Sequence, residues 1–232
     1  MELRQPSQDW FVAVYGALVE LLEGRLAEAE RSIEAALRVG ERAQSNAAVS
    51  HRLQLYVLRC EQGRVTEIED LVRRSVEEYP TYPIWRCVLA HMAAELGYLP
   101  EARAVAEELA ADDFASVPFD EEWLVSMSLI AETTSALGEA ERATALYERL
   151  LPYAHRVAIS YPEVSTGAVA RCLGLLATTA GNWDDAERSF LIAMDVHERI
   201  GAESWLARTR RDHARMVVAR AGSGEANANA SR

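Results

Sequence analysis

The sequence contains no lysine, so all 24 of its basic residues are arginines. That absence excludes a P-loop, in which a lysine must follow the glycines to reach the phosphates. Positive charge is scarce overall: 36 acidic residues leave a formal net charge of -12. Such a chain repels a phosphate backbone, and direct nucleic-acid binding is not expected. Cysteine is rare, with only Cys60, Cys87 and Cys172, far apart and odd in number. No close CxxC pair exists for zinc or redox chemistry, so they read as reduced thiols of a cytoplasmic protein. Long apolar runs are missing too. The uncharged stretch between Asp9 and Glu20 is too short to span a membrane and lacks a basic leader region and a cleavage signal. Neither secretion nor membrane insertion is expected. The sequence has no GxSxG, HExxH, DxDxDG or GxGxxG, and its serines, cysteines and histidines suggest no triad. No catalysis and no cofactor are expected.

What is present is a period. Gly24, Gly63, Gly97, Gly138 and Gly181 each end one apolar-periodic segment and precede another, at intervals of 39, 34, 41 and 43 residues. Helix stop, tight turn and helix start at this spacing describe a solenoid of helix pairs. Five residues after each glycine stand Ala29, Ile68, Ala102, Ala143 and Ala186, and nine after it Ile33, Val72, Ala106, Tyr147 and Phe190. A small residue at the first position lets two helices approach, and the residue one turn on fills the space beside it. Ile68 breaks the rule, which predicts a wider helix crossing in the second unit.

The stretch 170–194 carries the fullest set of these marks: Leu173, Gly174, Gly181, Ala186, Phe190 and Ala193. It resembles the tetratricopeptide repeat, with the helix-A contact pair, turn glycine, helix-B alanine, aromatic and final alanine in order. Trp85 and Trp123 are out of register with that family's tryptophan, and only Pro80 falls at its closing-proline position. Four stretches, "YPTYPIWRCVLAHMAAELG", "FDEEWLVSMSLIAE", "LLPYAHRVAISYPEVSTGAVARCLGLLA" and "ERIGAESWLARTRRDHARMVVAR", make a broader likeness. Over roughly 4–220 the chain resembles the C-terminal helical-repeat region of actinobacterial signalling ATPases, nucleotide cyclases and LuxR-type regulators. No cyclase segment, P-loop or terminal helix-turn-helix accompanies it here.

The expected fold is all-α: a right-handed helical solenoid of about five tetratricopeptide-like pairs with a C-terminal capping helix, occupying 1–220. Helices are predicted at 8–23, 26–44, 46–62, 65–78, 82–96, 99–111, 120–137, 139–154, 164–180, 183–200 and 202–220. The connections "EYPTYP", "DDFASVPFD" and "SYPEVSTG" read as loops, and Asp120 can cap the helix that follows it. The ending 221–232 has almost nothing to bury and is expected to be a disordered tail.

Two surfaces are candidates for binding. Trp10 to Val19 has no solvated face, as though Phe11, Val14 and Leu18 await an upstream repeat, a partner or a second copy of the chain. The rival reading is a segment folded back on its own domain. For a homodimer, glutamates at Val14 and Leu18 would give a folded monomer. The resemblance also implies a concave groove lined by helix A of each unit, where its register puts Cys60, Cys87, His91, Ser128, Glu132, Arg171 and Thr178. Cys87 and His91 share a helix face. With Cys60 they offer three metal ligands or, on the plainer reading, half-buried thiols beside a groove histidine; no metal is assigned. His91 and Glu132 stand one unit apart in the same register. Arg208, Arg211 and Arg215 share a face of the last helix, suited to a phosphate or an acidic peptide, or to a soluble end cap.

The function this implies is a non-catalytic protein-interaction or sensor module of a bacterial signalling or transcription regulatory system. A protein or peptide partner would dock in the groove or on the apolar N-terminal edge. The alternatives are a small-ligand-binding regulatory domain, using Phe11, Val14, Leu18, Leu53 and Val57, or a detached repeat region of a signalling ATPase or cyclase.

Overall fold

The structure is a computed structural model that describes residues 6–41 and 46–230, with side chains through Ser223. The last residues of the second predicted helix, 42–44, lie outside the described residues, as do 1–5 of the predicted domain and 231–232 of the predicted tail. The chain is mostly helical. Among the described residues, eleven helices run α1 (Pro6–Leu22), α2 (Leu26–Gly40), α3 (Ala47–Glu61), α4 (Glu69–Glu78), α5 (Ile84–Glu95), α6 (Leu99–Ala110), α7 (Trp123–Leu137), α8 (Ala140–Leu150), α9 (Val169–Thr179), α10 (Trp183–Ile200) and α11 (Glu203–Ala230). A two-stranded antiparallel hairpin, β1 (Val157–Ser160) and β2 (Val164–Ala168), separates α8 from α9.

The periodic marks lie where helices meet. Gly24, Gly63, Gly97, Gly138 and Gly181 all take positive φ, between 67° and 78°, after α1, α3, α5, α7 and α9. Ala29, Ala102, Ala143 and Ala186 are fully buried, as are Ile33, Val72, Ala106 and Phe190 one turn on. Gly174 shows why small residues recur: a Cβ there would stand 2.7 Å from the Phe190 ring. At buried Ile68 the second unit differs from the others: Val65–Ile68 winds as a 3-10 turn before α4 begins.

Odd-numbered helices also pack on one another, α1 on α3, α5 on α7 and α7 on α9. The last helix does not simply lie behind α10. It also reaches α9 and α1, so the first and last helices touch.

Three local expectations change. Residues 164–168 are strand, and α9 starts at Val169; Val157, Ile159, Val164 and Thr166 supply the β-branched side chains that favour pairing, around the bend at Tyr161 and Pro162. The helix predicted at 139–154 ends at Leu150 and finishes as a short 3-10 turn. The backbone stays helical past 220 to Ala230, in a segment whose alanines favour helix although Ala221 and Gly222 are exposed. Asp120 accepts a hydrogen bond from the Glu122 N–H at 2.9 Å, holding the turn that leads into α7.

Glycines with positive φ allow a test of packing against backbone conformation. Gly63 (φ 67°) faces open space, whereas a Cβ on Gly167 (φ 77°) would meet His197 at 2.8 Å and Trp205 at 2.9 Å. In urea unfolding, Gly63→Ala is expected to cost about 1 kcal/mol from the left-handed backbone alone. Gly167→Ala is expected to cost a further 1–3 kcal/mol, roughly, for overpacking.

Candidate functional site

The layer of odd-numbered helices encloses a charged seam. Arg171 of α9 is buried; its Nε donates to Asp212 of α11 at 2.9 Å, and its Nη2 to Glu132 of α7 at 3.1 Å. Arg208 of α11 reaches Glu61 of α3 at 3.2 Å and Glu132 at 3.7 Å. Trp205 lies between the two cations, with Arg171 5.4 Å and Arg208 5.1 Å from its ring centroid. His91 of α5 shares a 2.6 Å hydrogen bond between Nδ1 and the Tyr56 hydroxyl, and its Nε2 stands 3.6 Å from Glu132.

Charge pairing overrides burial here. Burial alone would raise the Glu132 carboxyl, but Arg171, His91 and Arg208 hold it well below the usual carboxylate range. Burial alone would lower His91; its neighbours, the Cys60 sulfur and Glu132, outweigh that and lift it to about 10. His197 behaves oppositely. Its Nε2 accepts the Ala168 N–H at 2.8 Å, which fixes the neutral form, and burial followed by the nearby Arg171 lowers it to about 4.

The predicted groove residues are therefore brought together in part, and as interior. His91, Glu132 and Arg171 join one network, which α11 covers. Cys87 points elsewhere, buried against Ser126, and burial pushes its thiol up to about 12. Ser128 and Thr178 donate to the carbonyls of Leu124 and Gly174 on their own helices. Among the described residues, no group of three His, Cys, Asp or Glu side chains is placed to hold a metal ion. Arg208, Arg211 and Arg215 do not form one cation patch, since Arg208 turns inward while Arg211 and Arg215 stay exposed. The remaining interior cleft, lined by Val57, Cys60, His91, Thr166 and Trp205 among others, holds about 20 Å³. Ligands of drug size need several hundred.

The N-terminal edge also divides. Val14 and Leu18 are each 1% exposed, packed in the chain's own core, so charging them would unfold the domain rather than dissociate a dimer. Phe11 and Tyr15 remain exposed and meet Tyr161 of the hairpin edge-on, at 5.2 and 5.8 Å. Val12 beside them is 70% exposed. Next to these rings opens a cleft of about 270 Å³, lined by Trp10, Phe11, Tyr82, Tyr161 and by Glu121, Glu122 and Glu163. No basic residue lines it among the described residues. Burial, then Asp120, Glu163 and Glu121, raises Glu122 to about 7, and burial raises Glu163 although Ser50 and Ser160 donate to it. The sequence marks the aromatic helix but not this cleft, because Tyr161 and Glu163 arrive from a hairpin more than a hundred residues away.

Compared with known proteins, the chain matches no family model, no curated protein and no solved structure. Among the described residues no helix is long and apolar enough to cross a membrane.

Removing Arg171 takes the buried counterion from Asp212 and the nearest one from Glu132, so Arg171→Met is expected to destabilise by about 3–5 kcal/mol in urea unfolding. The two histidines should give opposite pH dependences. The protonated His91 contribution is complete below about pH 6.5 and is lost as pH rises towards 10, so His91→Gln should do most damage at low pH. The neutral His197 contribution is complete above 6.5 and is lost as pH falls towards 4, so His197→Gln should do most damage at high pH.

Proposed function

We propose that the chain is a non-catalytic protein-interaction module: a right-handed, tetratricopeptide-like solenoid of about five helix pairs whose last helix closes the groove. The partner docks at the N-terminal edge. One observation carries this reading: Phe11, Tyr15 and Tyr161 form an exposed aromatic cluster beside a 270 Å³ cleft with three carboxylates and no described cation in its lining. Aromatic faces and unpaired carboxylates together suit an arginine- or lysine-bearing segment, which stacks its cation and pairs its charge. The setting in a bacterial signalling or transcription regulatory system, in the cytoplasm, rests on the resemblance to actinobacterial regulators. Docking a peptide in the concave face finds less support, because Trp205, Arg208 and Asp212 already occupy it.

Panning a random peptide library on the immobilised chain tests the reading. Basic peptides are expected to be enriched, and Tyr161→Ala is expected to weaken them by about tenfold or more, as for an aromatic anchor. Their affinity should rise as pH passes up through about 7, where Glu122 ionises, and Glu122→Gln should abolish that rise. Failure to enrich basic peptides, or binding indifferent to both substitutions, would overturn it. A wild-type dimer in light scattering that Val12→Glu converts to monomer would assign the edge to a second copy instead.

A further inference from the structure

The three cysteines occupy different surroundings. Cys87 and Cys172 are fully buried, and burial pushes both thiols up to about 12. Cys60, near the end of α3, is only half-buried and lines the small interior cleft. Tyr56, His91 and Arg208 line the same cleft.

The cleft contains a second, independent feature. His91 and Thr166 line it, both are 3% exposed; Thr166 Oγ1 has no hydrogen-bond partner among the described residues, and His91 Nε2 has only ion-pair contacts, with Glu132 at 3.6 Å and Glu95 at 3.9 Å. Buried polar atoms are seldom left unmatched, and a volume of about 20 Å³ suits a very small polar guest. The guest would touch an unmatched hydroxyl, the His91 ring and a sulfur.

We propose that Cys60 is an oxidation site for hydrogen peroxide, with Thr166 and His91 positioning the oxidant. The thiol releases its proton to solvent, and the sulfur attacks one peroxide oxygen. The S–O bond forms as the O–O bond breaks, so sulfur loses two electrons and the peroxide gains them. The departing oxygen takes a proton from His91 Nε2, which solvent replaces, and leaves as water. The net change is thiol plus peroxide to sulfenic acid plus water. The size of the cleft sets the specificity: hydrogen peroxide enters and bulky organic hydroperoxides do not.

The test is site-resolved. The folded chain is treated with hydrogen peroxide in the presence of dimedone, which traps sulfenic acids, and the three cysteine peptides are quantified by mass spectrometry. Cys60 is expected to label at least about tenfold faster than Cys87 or Cys172. Thr166→Val, checked for helicity, is expected to slow labelling by about three- to tenfold, the loss of one hydrogen bond. Should that variant not fold, Thr166→Ala takes its place with the same expectation. Equal labelling of the three cysteines, none at Cys60, or a Cys60 rate unchanged in the folded variant would overturn the proposal.

Discussion

Arg171 is the residue on which the arrangement of this molecule turns. Burying a guanidinium costs several kcal/mol unless its charge and its hydrogen bonds are both met. Glu132 meets one edge and Asp212 another, from α7 and α11. The same demand then passes to Glu132, which is buried in turn and also faces Arg208 and His91. Arg208 adds Glu61, and the inner part of the network sets Arg171, Arg208 and His91 against Glu132, Asp212 and Glu61, with the exposed Glu95, Arg211 and Arg215 at its margin. Because these residues come from α3, α5, α7, α9 and α11, the balance is reached only when the last helix sits across the inner face of the earlier ones. An apolar seam would tolerate sliding. A balanced ionic seam fixes a register, because any displacement leaves a buried charge without its counterion.

The hairpin is held by the same closure. Gly167 takes a positive φ and lies against His197 and Trp205, a place with no room for a Cβ. Neutral His197 accepts the Ala168 N–H with one ring nitrogen and shares its other with the Thr209 hydroxyl, tying β2 to α10 and α11. At the other end, Gln54 of α3 donates to both the Val14 and Glu163 carbonyls and so fastens the hairpin bend to α1. The chain's first and last helices are thus joined through a segment that is neither.

This explains which features the sequence disclosed. The turn glycines and the small and large residues after them report contacts within one helix pair, a local matter with a fixed spacing, and they located the helices well. The alternation in "VAISYPEVSTGA" was a usable signal for the hairpin, yet its prolines and small polar residues also fit a loop. Partners for Arg171 were a different problem. Forty-one residues separate it from Asp212, and nothing in either local pattern says that α11 folds inward. Phe11, Val14 and Leu18 were grouped correctly as one apolar helix, but only packing shows that Val14 and Leu18 face the core while Phe11 faces out.

A closed interior also constrains how such a module can communicate. A partner that entered the charged seam would have to displace Trp205, Arg208 and Asp212 together, and would leave Arg171 and Glu132 to be satisfied by its own groups. Binding energy of ordinary size is consumed by that exchange. At the N-terminal edge the rings of Phe11, Tyr15 and Tyr161 are already half out of water, and the nearby carboxylates lack described cations, so docking there spares the seam. The edge is nevertheless not isolated from it. Tyr161 belongs to the hairpin whose bend Gln54 holds and whose β2 end His197 holds, and Gly167 of β2 lies against Trp205, beside the two arginines.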